Sequence, residues 1–119
     1  MSRIALVAGG LVAALALAAP IGATSSVTKL TGTVGPGFTI TLKKGTAKVK
    51  TLKAGSYKIT VSDKSNFHDF HLKGPGVNKI ITTTPFKGTK SFSVKLKKGK
   101  YTYVCDPHAT FMKGSFTVK

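Results

Sequence analysis

The sequence has no glutamate, no tryptophan, one arginine (Arg3) and one cysteine (Cys105). Its 119 residues carry three acidic side chains, Asp63, Asp69 and Asp106, against 19 Lys+Arg, for a formal net charge of +16. Three acids leave little for paired-carboxylate hydrolysis. They also exclude an all-protein calcium cage, which draws on many oxygen ligands. One cysteine excludes an intramolecular disulfide and any zinc or iron–sulfur site built on cysteine alone. A hydrophobic fraction of 41% is too high for a disordered polyelectrolyte, and the length fits one domain.

What is present begins with an export signature. Met1-Ser2-Arg3 is a short basic start, Ile4 to Ala19 an unbroken apolar run, Pro20 a break, and Gly22-Ala23-Thr24-Ser25 a stretch of small residues. This is the pattern of a signal peptide over residues 1–23, cut after Ala23. The run falls short of the ~20 apolar residues of a membrane span, and an uncleaved N-terminal tether is the other reading. The protein is therefore expected in the periplasm, the cell envelope or the medium. Exported proteins commonly use cysteines in pairs, so the lone thiol of Cys105 calls for a reason.

The remaining chain alternates apolar and polar residues with a period of two, and helical spacing is absent. Phe38–Leu42, Tyr57–Val61, Phe67–Leu72, Lys90–Leu96, Tyr101–Cys105 and Ser115–Val118 read as strands separated by Gly- and Lys-rich turns. With short strands near Ala47–Thr51 and Lys79–Ile81, the count is seven or eight, which predicts an all-β sandwich or barrel over 37–119. The Thr/Gly/Ser-rich stretch 24–36 reads as a linker or ragged first strand. One hexapeptide returns after 44 residues: Leu52-Lys-Ala-Gly-Ser-Tyr57 and Leu96-Lys-Lys-Gly-Lys-Tyr101. Both read as turns that launch a strand, with the Tyr able to bond back to the turn. The echo aligns Cys105 with Val61, an inward aliphatic position.

Chemistry concentrates near the C-terminus. Tyr101, Tyr103 and Cys105 share a face by parity, and His108 and Met112 follow within one loop. In Phe67-His68-Asp69-Phe70-His71-Leu72 the set His68, Phe70 and Leu72 is the more apolar, so His68 is the expected inward imidazole and His71 the exposed or loop-covered one. A thiolate, two imidazoles and a thioether form a soft donor set that selects copper over magnesium or calcium. Zinc accepts the same nitrogen and sulfur donors, but methionine is a poor fourth ligand for it. A Cys105–His108 nucleophilic pair is the catalytic alternative, and it has no orienting partner in the sequence.

Cys105-Asp-Pro-His108-x3-Met112-Lys-Gly, preceded by Gly-x-Tyr-x-Tyr-x-Cys, resembles the copper loop of cupredoxins. The plastocyanin and amicyanin branch is the nearest, with two residues between Cys and His. Phe67-His68-Asp69-Phe70-His71 resembles the first ligand segment of that family, where His is followed by Asn. The resemblance implies an eight-stranded Greek-key sandwich and one type 1 copper, Cu(I)/Cu(II), on His68, Cys105, His108 and Met112. It also implies transport of single electrons rather than enzymatic turnover. Two departures stand out: Asp69 replaces the Asn, and Asp106 stands where Ser or Thr is usual. Negative charge there is expected to favour the oxidised ion and lower the reduction potential. Phe70, Tyr103 and Phe111 are expected to exclude water, with Phe111 at the surface where electrons leave.

A copper module for storage, delivery or sensing is the alternative function, and a purely structural sandwich the third. The lysines, such as Lys48, Lys50, Lys95 and Lys97, alternate to outward faces and discourage edge pairing. They suit steering toward a redox partner with an acidic patch, or toward an anionic envelope surface. No aromatic-plus-basic nucleic-acid motif is present, and a monomer is expected.

Overall fold

The computed structural model describes residues 26–119, so the signal segment 1–23 lies outside the described residues. Ten strands follow one another: β1 (Thr28–Val34), β2 (Ile40–Lys44), β3 (Ala47–Lys48), β4 (Thr51–Leu52), β5 (Gly55–Asp63), β6 (Phe70–Gly74), β7 (Val77–Thr82), β8 (Gly88–Leu96), β9 (Gly99–Val104) and β10 (Lys113–Val118). They form two five-stranded sheets, ordered β3-β2-β1-β5-β8 and β4-β10-β9-β6-β7. Neighbours are antiparallel except β1 with β5 and β10 with β4. The all-β expectation holds, in two mixed sheets packed face to face.

Alternation explains the core. Leu30, Leu42, Ile59, Val61 and Leu96 point inward from the first sheet, and Leu72, Tyr101, Tyr103, Phe116 and Val118 from the second, all buried. Aromatic pairs fill the space between: Phe70 stacks on Tyr103 at 5.6 Å and 7°, and Tyr101 on Phe116 at 5.3 Å and 8°. Such offset pairs stabilise by ~0.5–1.5 kcal/mol beyond their buried area.

The strand count exceeds the expected seven or eight for two local reasons. Residues 24–36 contain a seven-residue strand, β1, paired on both sides at the centre of the first sheet. Its inward positions are Leu30, Gly32 and Val34; the glycine masks the alternation because the Phe70 ring occupies the space of its side chain. The stretch Ala47–Thr51 is two strands, not one. It changes sheet at the buried Val49, so β3 pairs with β2 and β4 with β10.

The sequence echo is a paired device. The Tyr57 hydroxyl donates to the Lys53 carbonyl at 2.6 Å. The Tyr101 hydroxyl accepts from the Lys97 N–H at 2.9 Å and donates to the Pro75 carbonyl at 3.1 Å. Each tyrosine fixes the turn that starts its strand, and nine residues after each leucine stand Val61 and Cys105, both fully buried. The register of Val34 beside Asp63, and of His71 beside Val104, gathers the ends of β1, β5 and β9 and the start of β6 at one pole.

Candidate metal centre

Cys105 leaves β9 directly into a 3-10 turn, Asp106–His108, with Pro107 fixing its backbone. The loop then closes on itself. His108 N–H donates to the Cys105 carbonyl at 3.0 Å, Met112 N–H to the His108 carbonyl at 2.9 Å, and Cys105 N–H to the Met112 carbonyl at 3.0 Å. This folding brings His108 Nδ1 to 3.5 Å from the Cys105 sulfur. Met112 is buried at the end of the same loop.

The second imidazole arrives from the β5–β6 connection. Lys64 N–H donates to the Val34 carbonyl, and the Ser65 N–H bonds the Asp63 carboxylate at 3.3 Å. β6 starts at Phe70, three residues later than the expected strand, so His68 sits in the loop, fully buried. Its Nδ1 lies 3.6 Å from Cys105 Sγ. Gly35, at φ +75°, permits this: a Cβ there would come within 2.9 Å of His68 Cδ2. His68, Cys105 and His108 thus place one donor atom each within 4.8 Å of one another. His71 does not join them.

Asp69 departs from the parity reading, which gave it an outward face. It is buried because it ties the two loops together. Its N–H points at Cys105 Sγ at 3.5 Å, and its carboxylate accepts the Asp106 N–H at 2.6 Å. Burial, reinforced by the Asp106 carboxylate, pushes Asp69 up to about 6. Burial also acts upward on Asp106, but hydrogen bonds with Asp69 and His71 outweigh it and keep its carboxyl below the usual range. His71 Nδ1 meets the Asp106 oxygens at 2.8 and 3.0 Å, and Nε2 meets Asn78 Oδ1 at 2.5 Å. The histidine that parity placed away from the core therefore braces the Cys105 loop from outside.

Burial holds the Cys105 thiol above its ordinary pKa, so without a cation the site keeps its proton. The donor spacing fits a metal ion in its place: bonds of ~2.0–2.3 Å at trigonal to tetrahedral angles set nitrogen and sulfur ~3.5–3.8 Å apart. The two sulfur–nitrogen separations, 3.6 and 3.5 Å, have this size. One soft sulfur between two imidazoles selects copper or zinc over hard cations.

Aromatic rings surround the two imidazoles. Phe38 lies edge-on to His108 at 4.9 Å and to His68 at 5.8 Å; Phe67 meets His68 at 4.6 Å and Phe111 meets His108 at 5.7 Å. Phe38, Phe67 and Phe111 are all more than half exposed, whereas Phe70 and Tyr103 are sealed inside. The alternation in Phe38–Leu42 starts a strand at Phe38. Gly35-Pro36-Gly37 instead delays β2 to Ile40 and turns the ring over the imidazoles. That Gly-Pro-Gly break was the signal for both Phe38 and Gly35.

Residues 33–119 match the family model for copper-binding proteins of the plastocyanin/azurin family. The chain belongs to that family. Its fold is shared by solved structures of rusticyanin, a protein described as a copper protein. Reduced rusticyanin is 25% identical, with a TM-score of 0.57 over 81% of this cupredoxin and 81% of that chain. Rusticyanin from Thiobacillus ferrooxidans is 25% identical, with a TM-score of 0.52 over 81% and 79% of the two chains. A rusticyanin variant reaches 28% identity, with a TM-score of 0.55 over 81% and 79%. Among curated protein sequences none matches this cupredoxin. The His68, Cys105 and His108 group is consistent with a single type 1 copper site.

Proposed function

We propose that this cupredoxin is an exported carrier of single electrons. Copper would be held by His68 Nδ1, Cys105 Sγ and His108 Nδ1, with the buried Met112 thioether as a weaker fourth donor. The supporting observation is the thiol sulfur set 3.6 and 3.5 Å from two ring nitrogens, in a buried cluster closed by backbone hydrogen bonds. Bound copper supplies the Cu(I)/Cu(II) couple. The chain's part is to hold its donors still between the two states and to keep water out. The Asp69 N–H stabilises the thiolate charge, and the Cys105–Met112 backbone pair fixes the loop. Phe70 and Tyr103 exclude solvent from beneath, and the exposed edges of Phe38 and Phe111 give electrons a route outward.

The activity is transfer, not catalysis. The cleft of about 570 Å³ lined by Thr28, Lys44, Lys53 and Tyr57 lies at the opposite pole, away from the donor cluster. The partner is a redox protein that meets the aromatic pole, with an acidic patch or an anionic envelope surface answering the lysines. No nucleic acid is involved, and the carrier works as a monomer. Export rests on the sequence of residues 1–23; among the described residues no helix is long and apolar enough to cross a membrane.

Titration with Cu(II) tests the reading. The expected result is an intense visible charge-transfer band at one equivalent, lost in Cys105→Ser, with fast reversible cycling and retained metal. Release of Cu(I) on reduction would favour storage or delivery instead. Absence of the band would leave a structural sandwich.

A further inference from the structure

The outer face of the first sheet consists of three residue types. Across its five strands the register sets Lys48, Lys43, Thr31, Thr60 and Ser91 side by side. A second row joins Lys29, Lys58 and Ser93. Every other outward position of β1, β2, β5 and β8 is Ser, Thr or Lys. No acid, aromatic or aliphatic side chain interrupts this face. The outer face of the second sheet is different, since it carries Val104, Ile80 and His71.

Two like-charged pairs stand directly opposite each other in this array, Lys29 with Lys58 and Lys43 with Lys48. Like charges in that relation destabilise a sheet. Nothing within the domain offsets them: Asp63 and Asp69 are buried, and Asp106 is engaged by His71 at the metal pole. A bound polyanion would supply that balancing charge from outside. The nine hydroxyl side chains between the lysines are short, lose little rotamer freedom, and both donate and accept hydrogen bonds.

We infer that this face docks a polyanionic glycan, an extended sugar polymer bearing carboxylate or sulfate groups. Lysines meet the charged groups, and the hydroxyl rows, spaced by the ~4.8 Å between strands, meet the sugar hydroxyls. A bilayer is a poorer fit, because interfacial binding uses aromatic and aliphatic side chains that the face lacks. A protein partner is poorer too, because protein interfaces centre on aromatic or arginine anchors. The face runs along the strands while the donor cluster lies at their ends. A polymer bound there leaves Phe38 and Phe111 uncovered, and the inference does not rest on the copper reading.

The test compares binding of the intact protein to dextran sulfate, to uncharged dextran, and to phosphatidylglycerol vesicles. One variant replaces Lys29, Lys43, Lys58 and Lys95 by Gln; a charge-matched control replaces Lys73, Lys98, Lys100 and Lys113. The face variant is expected to lose at least about tenfold in dextran sulfate affinity and the control less than about threefold. The slope of log affinity against log salt should become shallower by about 3–4 in the face variant. Thr31→Val with Thr60→Val, at unchanged charge, should weaken dextran sulfate binding severalfold. Equal losses in the two lysine variants would overturn the docking face, because only net charge would then matter. Tighter, face-dependent binding to the vesicles would overturn the glycan as occupant, and unchanged binding by the threonine variant would overturn the role given to the hydroxyls.

Discussion

Replacing Asp63 by Asn should stabilise the domain at neutral pH. Asp63 ends β5 and is 1% exposed, with no lysine bridged to it among the described residues. One carboxylate oxygen accepts the Ser65 N–H at 3.3 Å; the other faces the buried Thr82 hydroxyl too loosely for a well-formed hydrogen bond. Burial therefore raises the Asp63 pKa, against weaker opposing effects of the Thr82 hydroxyl, the Ser65 N–H and His68. An acid whose folded pKa lies above its unfolded value favours the native state most when protonated. That stability is present below the unfolded value, ~3.9, and is lost as pH rises through the folded one. Asn keeps an oxygen for Ser65 and offers an amide donor to Thr82. Relief of a poorly partnered buried acceptor is worth ~1–3 kcal/mol, and each kcal/mol moves the midpoint of a domain this size by roughly 4–8 °C. The assay is urea and thermal unfolding of reduced, copper-free protein between pH 3 and 8. Asp63→Asn should gain about 1–2 kcal/mol at pH 7, and the gain should shrink toward pH 3. A variant no more stable than the parent at pH 7, or a gain independent of pH, would refute the reasoning.

Other perturbations bear on the site itself. Gly35→Ala forces a left-handed backbone and a Cβ 2.9 Å from His68 Cδ2, so it should cost about 1–3 kcal/mol and shift the copper absorption band; an unaltered band with unaltered stability would show that Gly35 does not shape the ligand. Asp106→Asn removes a charge beside the thiolate and should raise the reduction potential, by an amount on the order of 1 kcal/mol, as read by voltammetry; an unchanged or lower potential counts against it. Stripping copper should lower the unfolding midpoint, since a ligand in 100-fold excess over its dissociation constant contributes ~2.7 kcal/mol; scanning calorimetry of the apo and loaded forms decides this.

The strands with clean alternation, β5, β8, β9 and β10, are legible in the sequence because one face is buried and the other wet. The donor cluster is legible in part for a different reason. Cys105 and His108 lie on one short loop, and parity also places His68 inward, although His68 precedes β6 and owes its burial to the loop rather than to strand alternation. What escaped reading depends on partners distant in sequence. β1 is masked by Gly32, whose vacancy is filled by Phe70. Asp69 is inward only because the Asp106 N–H, 37 residues later, waits for its carboxylate. Phe38 is lifted from its strand by Gly35-Pro36-Gly37, and only the folded chain shows that it arrives over His108.

No part of Cys105 is exposed to solvent. A chain with a single accessible sulfhydryl would ordinarily risk coupling to a stranger of the same kind. Here the sulfur is flanked by two imidazoles, which Phe38, Phe67 and Phe111 cover in turn. Such burial keeps the sulfur out of reach of a second chain's thiol and of a bulky alkylating reagent, while the partly exposed His108 marks the side from which a small cation reaches it.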